Sequence, residues 1–289
     1  MSAASGFGPN PWQQTSWDWR AAGNFICGGA GTGLLVAVAL FGSGTAASLS
    51  APDWRVFTGL ALVGLGLMCV WLEIGRPLRA LNVFINPRTS WMSREAWVSV
   101  ALFPAGLAAL LGLSGAIWLT AALALAFLYC QSRMLPAARG IPAWRSPWFS
   151  AFIMLTAGCE GCGLFLLLGL FGAQVGAPAL LALLALLGLR LLVWRRYRSA
   201  VDASLAARSR SALDLAGRSL LLLGSVAPGV LLAAGWLLGG AAGPLLLGAA
   251  GLCAAAAGAR VKFILVTRAS FNQGFSLSQL PIRGVRPVR

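Results

Sequence analysis

Eight continuous apolar runs, each close to the length of a bilayer-crossing helix, limit what this chain can fold into. They fall at 22–42, 55–72, 95–114, 116–132, 148–172, 178–194, 219–238 and 243–260, with short connections between them. About 20 apolar residues in a helix cover the ~30 Å hydrocarbon core of a membrane. The runs do not alternate polar with apolar residues, so helices are expected rather than a barrel. Composition agrees: only 10% of the 289 residues are charged, whereas a soluble domain carries about 25%. The expected fold is an all-α integral membrane protein with eight transmembrane helices and the lipid bilayer as its solvent. A polar N-terminal tail (1–21) precedes the helical domain (22–260), and a basic tail (261–289) follows it. The first residues lack the basic start and adjoining apolar core of a cleaved signal.

A net charge of +15 would suggest nucleic acid in a soluble chain. Here the basic residues sit between apolar runs, so topology accounts for them and no nucleic-acid partner is expected. Eight spans put both termini and the connections after spans 2, 4 and 6 on one side. That side takes Arg20, the arginines of 76–94 and 133–145, those from Arg190 to Arg218, and Arg260, Lys262 and the arginines up to Arg289. Of the 22 Lys and Arg residues only Arg55 falls on the other side. Positive residues favour the cytoplasmic face, so both termini are expected there, in a membrane of the bacterial cytoplasmic (inner) type. Trp17, Trp54, Trp91, Trp144 and Trp194 lie near span ends, where aromatic belts form.

Spans 1 and 5 share a glycine-rich middle, Cys27–Gly33 and Gly158–Gly163. Two readings stay open: a repeat of two four-helix halves, or small residues that let helices pack closely.

The chain has no histidine, which removes histidine-ligated haem and imidazole metal sites. Its six cysteines are scattered through apolar stretches, and the one tight pair, Cys159–Cys162, has no second pair at ligand spacing. An iron–sulfur cluster held by this chain alone is not expected, and no metal site is assigned. Any redox role therefore relies on a diffusible carrier and on a second subunit.

Of seven acidic residues, Asp18, Asp53, Asp202 and Asp214 fall in connections and read as solvated. Glu73, Glu95 and Glu160 fall at or within spans, where a carboxylate costs roughly 2.5–3.5 kcal/mol and is usually kept for function. Glu73 ends span 2, next to the negative pole of the helix dipole. It reads either as an ion-pair partner of Arg76 or Arg79 or as a proton-transfer group. Glu95 opens span 3 with Ser93 as the expected cap, a position that also suits a structural role. Glu160 lies about 18 Å into span 5 at 1.5 Å per residue, with Thr156 one turn away to share a hydrogen bond. It reads as a proton relay or as a buried neutral acid.

The segments Trp71–Asn82 and Ser90–Glu95 resemble the DmsC/NrfD-like membrane anchors of dimethyl sulfoxide and polysulfide reductase-type molybdoenzymes. In that pattern a Gly-x-Pro-x-Arg-Ala turn, here Gly75–Ala80, closes the second helix, and a Ser-x-Glu, here Ser93–Glu95, opens the third. Asn24–Gly29 and Ile141–Trp144 are similar to the family's first helix start and to the turn before its fifth helix. Within the family the likeness is nearest to the membrane subunit of phenylacetyl-CoA:acceptor oxidoreductase, through Asn10–Gln14 and Phe271–Phe275. The resemblance implies a subunit that binds quinone (ubiquinone or menaquinone) without haem, beside a four-cluster ferredoxin-type iron–sulfur subunit and a molybdopterin catalytic subunit. It maps the family's quinone-site carboxylate onto Glu95. A histidine of the dimethyl sulfoxide reductase anchor corresponds to Glu73, and a tyrosine of that relative, near Leu135, is absent here. Asn24, Glu73, Arg76, Arg94 and Glu95 are the expected quinone contacts, and Glu73, Glu95 and Glu160 the expected proton-transfer groups. The rival expectation is a secondary transporter with a mid-membrane site at Glu160.

Overall fold

A computed structural model describes residues 10–42, 54–74, 77–171 and 175–274. Its helices are α1 (Trp19–Phe41), α2 (Trp54–Glu73), α3 (Trp91–Leu110), α4 (Ala116–Ala137), α5 (Phe149–Leu168), α6 (Ala177–Val201), α7 (Ala207–Leu221), α8 (Ala227–Leu238) and α9 (Ala242–Phe263). A π-helical stretch, Leu222–Val226, joins α7 to α8, and a second one, Ile264–Arg268, prolongs α9. Counting α7–α8 as one, seven of these helices are long and apolar enough to cross a membrane. The third expected span is a helix of 20 residues that holds Arg94, Glu95 and Pro104, and it is not among the seven.

Sequence and structure differ most where charges enter helices. Arg190, counted with the cytoplasmic-side charges at the end of the sixth run, and Lys262, expected in the C-terminal tail, lie inside α6 and α9 and are both 0% exposed. A charge near the end of an apolar run reads as facing water, whereas the helix carries it inward if it finds a partner in the bundle. For the same reason α9 and its π extension reach Arg268, past the expected boundary at 260. The cap of α3 is Ser90, which accepts a hydrogen bond from the Ser93 N–H at 3.3 Å, so the helix begins a turn before Glu95. Arg55 is buried near the start of α2 with its guanidinium 4.4 Å over the Phe165 ring.

The bundle is organised around α1, 72% of whose most apolar stretch is buried, against 28% for α2 and for α6. It packs on α2, α4, α5 and α9, while α5 also packs on α6 and α9. Glycine makes these approaches possible. A Cβ on Gly33 would meet the Ala157 carbonyl, and one on Gly161 would meet the Gly33 backbone. The glycine-rich middles of the first and fifth helices thus cross backbone to backbone. Gly163 and Gly251 do the same where α5 crosses α9.

Two apolar clusters form the interior. One gathers Leu34, Phe127, Phe165 and Leu183; the other gathers Phe25, Trp144, Phe152, Tyr197 and Ile264 around the turn 142–144. Trp144 Nε1 donates to the Leu265 carbonyl at 3.0 Å, and Tyr197 donates to the Ala143 carbonyl at 2.8 Å. The chain ends are clasped on this side. Gln13 and Phe271 form an antiparallel bridge, and the Asn272 N–H donates to the Trp12 carbonyl at 3.0 Å. The Gln13 side chain donates to the Thr267 carbonyl. Gly274 closes the clasp at φ +67°, where a Cβ would strike Pro11, a conformation other residues adopt rarely. Asp18, just ahead of α1, caps that helix and pairs with Arg20 at 2.7 Å, which holds its carboxyl below the usual range.

Overpacking a tight core costs about 1–3 kcal/mol. Gly161→Ala is expected to lower the unfolding temperature of detergent-solubilised protein by several degrees. Gly188→Ala, with nothing within 4 Å of the new Cβ, is expected to leave it unchanged. Scanning fluorimetry of the two variants side by side checks this.

Candidate functional site

Between the two apolar clusters lies a layer of buried polar side chains: Asn24 on α1, Glu95 on α3, Gln131 on α4, Glu160 on α5, Arg190 on α6 and Lys262 on α9. Its geometry starts from two glycines. A helical side chain covers the turn N-terminal to its own Cα, so Gly28 and Gly29 leave the carbonyls of Asn24 and Phe25 open. Gln131 Nε2 donates to the Asn24 carbonyl at 2.9 Å, and Lys262 Nζ donates to the Phe25 carbonyl at 2.9 Å. A Cβ at Gly28 or Gly29 would collide with those same side-chain nitrogens. Two successive carbonyls of one helix therefore anchor two different polar clusters.

The first cluster centres on Glu95, which is 2% exposed. Gln131 Nε2 lies 3.4 Å from its Oε1, and the Asn24 side chain also donates to the carboxyl. Asn24 Oδ1 and Gln131 Oε1 are buried and have no hydrogen-bond partner among the described residues. Gly66 of α2 lets the Asn24 side chain fit, since a Cβ there would come within 3.0 Å of Oδ1. Among the expected site residues, the structure brings Asn24 and Glu95 together.

Glu73 and Arg94 stand apart from that pair. Glu73, partly exposed at the end of α2, has Asp18 and Arg20 as its charged neighbours rather than Arg79. Arg20 also donates to the Leu72 carbonyl at 2.9 Å, which ties α1 to the end of α2. Arg94 donates to the carbonyls of Pro87 (2.8 Å) and Arg88 (2.7 Å) and lies 4.2 Å over the Trp91 ring. It holds the connection ahead of α3 and is turned away from its neighbour Glu95. Arg76 lies outside the described residues, so the expected Glu73–Arg76 pairing does too.

The second cluster is an ion pair sealed in the bundle. Lys262 Nζ lies 2.5 Å from Glu160 Oε2, with side-chain exposures of 0% and 1%. Gly258 makes room for the carboxylate, since a Cβ there would meet Glu160 Oε1. Thr156 donates to the Phe152 carbonyl at 2.7 Å instead of to Glu160. Arg190 lies close enough to act on Glu160 electrostatically; its Nη2 donates to the Gly224 carbonyl within the π-helical stretch, while its Nε and Nη1 have no partner among the described residues. The extra residue in a π turn frees carbonyls from the regular ladder, and Arg190 uses one of them.

Sequence reasoning missed Gln131, Arg190 and Lys262. Gln131 was detectable as a strong hydrogen-bonding residue inside an apolar run. The other two count as cytoplasmic-side topology charges, because Arg190 sits near the end of its run and Lys262 just past one. Among the described residues, no three His, Cys, Asp or Glu side chains gather as metal ligands.

A family model described as DMSO reductase anchor subunit (DmsC) matches residues 22–212. The match takes in Asn24, Glu95, Gln131, Glu160 and Arg190 and stops before Lys262. No curated protein matches the chain. A match over well more than half of the sequence, on a bundle of apolar helices, assigns it: the chain belongs to the DmsC family of DMSO reductase membrane anchor subunits.

Proposed function

We propose that this chain binds a membrane quinone beside Glu95 and passes electrons to it from an iron–sulfur subunit of the four-cluster ferredoxin type. That subunit in turn serves a molybdopterin catalytic subunit. The observation that carries the reading is the pair of unsatisfied acceptors next to Glu95, Asn24 Oδ1 and Gln131 Oε1. Buried acceptors without donors are rare, and the hydroxyls of a reduced quinone are donors of the kind these atoms lack. Asn24, Gln131 and Glu95 would hold the group, which supplies two-electron chemistry coupled to two protons. Glu95 holds a proton within the bundle and exchanges it as a general acid–base. Glu73, at the end of α2 beside Arg20, serves as the outer proton acceptor, and Arg94 holds the connection that leads into α3.

Glu160 is the second proton-transfer group in this proposal, ionised beside Lys262 at rest and taking up a proton only in passing. Its contact with Lys262, which bonds the carbonyl next to that of Asn24, supports a link to Glu95. Membership of an anchor-subunit family favours this reading over a secondary transporter. We further propose eight spans in two four-helix halves around the α1–α5 crossing, with both termini cytoplasmic. The Gln13–Phe271 bridge supports an even number of crossings, which requires α3 to span despite Arg94 and Glu95. Arginine placement supports the cytoplasmic assignment, and with it electron flow outward into the quinone pool from an intracellular substrate such as a coenzyme A thioester.

Glu95→Gln keeps shape and removes the titratable proton. Quinone-coupled turnover of the assembled complex should fall by roughly 100-fold, with electron transfer to a soluble artificial acceptor unchanged. Wild-type quinone turnover would reduce Glu95 to a structural residue.

Glu160→Gln strands Lys262 without its counter-ion, a loss of about 3–5 kcal/mol, so the single variant should accumulate poorly. Glu160→Gln combined with Lys262→Met should recover the folded yield yet turn quinone over slowly. Full turnover in the double variant would leave the pair a purely structural role.

For orientation, a cysteine introduced at Arg289 should resist a membrane-impermeant maleimide in intact cells and react after lysis. Labelling before lysis would reverse the sidedness and the inference about the substrate.

A further inference from the structure

At the end of the bundle where the termini meet, α7 and the π-helical extension of α9 enclose a groove of about 570 Å3 lined by Arg208, Arg218 and Arg268, with Ser211, Asp214 and Leu215 between them. All three arginines are exposed. The nearby carboxylates are already taken: Arg198 pairs with Asp214 at 2.7 Å and with Asp202 at 3.0 Å, and Arg210 lies 3.5 Å from Asp202. Among the described residues, none of the three groove arginines has a carboxylate partner. The groove is an uncompensated cationic site that fits one compact anion.

Depth identifies the anion. From Arg218 to the end of α8 at Leu238 the chain runs about 20 residues, or ~30 Å of helix, the thickness of the hydrocarbon core. Arg218 therefore lies at the level of the lipid phosphates, and Arg208, about 15 Å further along α7, lies on their aqueous side. The apolar residues below have the matching character. Leu222 (63% exposed) and Val226 (51% exposed) lie four residues apart on the membrane side of Arg218, and they continue the groove toward the bilayer. A cationic mouth above an exposed apolar stripe suits a phosphodiester headgroup with its acyl chains attached. An acidic protein surface would need the charge alone, beyond the phosphate level. We infer that this groove binds an anionic phospholipid, its phosphate held by Arg218 and Arg268, the outer part of its headgroup facing Arg208, and an acyl chain lying along Leu222 and Val226. Basic pockets between membrane helices bind such headgroups in general. The inference stands apart from the quinone reading, since no residue near Glu95 takes part.

The test uses the purified chain in detergent, titrated with phosphatidylglycerol or with phosphatidylcholine and read by native mass spectrometry. Wild type should retain phosphatidylglycerol roughly ten-fold more tightly, the effect of about 1.4 kcal/mol. The combined Arg208→Gln, Arg218→Gln and Arg268→Gln variant should lose that preference, and Arg218→Gln alone should lose part of it. These side chains are exposed, so the fold should persist, which scanning fluorimetry verifies. Equal retention of the two lipids by wild type, or an unchanged preference in the triple variant, overturns the inference. So does a triple variant that keeps phosphatidylglycerol but no longer co-purifies with its iron–sulfur subunit, which would make the groove a protein dock.

Discussion

The ion pair between Glu160 and Lys262 is the constraint on which the rest of the bundle depends. Two charges removed from water inside a membrane protein need both each other and further hydrogen bonds, and the surrounding sequence supplies them. Gly258 admits the carboxylate, Gly29 admits the ammonium, and the Phe25 carbonyl takes a second ammonium proton. Three helices, α1, α5 and α9, are thereby held in one register, although their backbone crossings at Gly33–Gly161 and Gly163–Gly251 are otherwise featureless. Close glycine contact supplies attraction without direction; the ion pair fixes where along the helices that contact occurs.

The same turn of α1 serves the Glu95 cluster. Because Asn24 and Phe25 are adjacent, the hydrogen bond from Gln131 and the one from Lys262 leave α1 on neighbouring sides. Any small rotation of α1 is felt by both clusters at once. An arrangement of this kind lets an event at one carboxylate alter the surroundings of the other with no side chain running directly between them.

Much of this was legible in the sequence, for physical reasons. Hydrophobic length located every membrane-length helix, since a run of apolar residues is the one signal a bilayer demands, but α6 runs seven residues past its expected end at 194 and α7 begins twelve before the expected start at 219. Asn10–Gln14 and Phe271–Phe275, which together carry the nearest family likeness, also meet in space: Gln13 and Asn272 join them in one clasp. Glu95 and Asn24 were singled out and do meet. What escaped was pairing. Nothing local in the sequence says that Lys262 points inward or that it meets a residue 102 positions earlier, and Arg190 looks like any interfacial arginine until the π-helical stretch between α7 and α8 presents the Gly224 carbonyl. The cap of α3 was misjudged by one turn because both Ser90 and Ser93 offer capping chemistry, and only backbone conformation decides between them.

The wide separation of Glu160 and Lys262 along the chain has a consequence for biosynthesis. Ribosomes add roughly 5–20 residues per second, so α5 is made about 5–20 s before α9 delivers the lysine. Throughout that interval α5 carries an acid at its centre that lacks its ion-pair partner, at a cost of roughly 2.5–3.5 kcal/mol, with Arg190 of α6 the first positive charge to come near it. The α1–α5 crossing can form early, but the last helix completes the cluster, so the order of synthesis leaves the bundle's central ion pair to be made last.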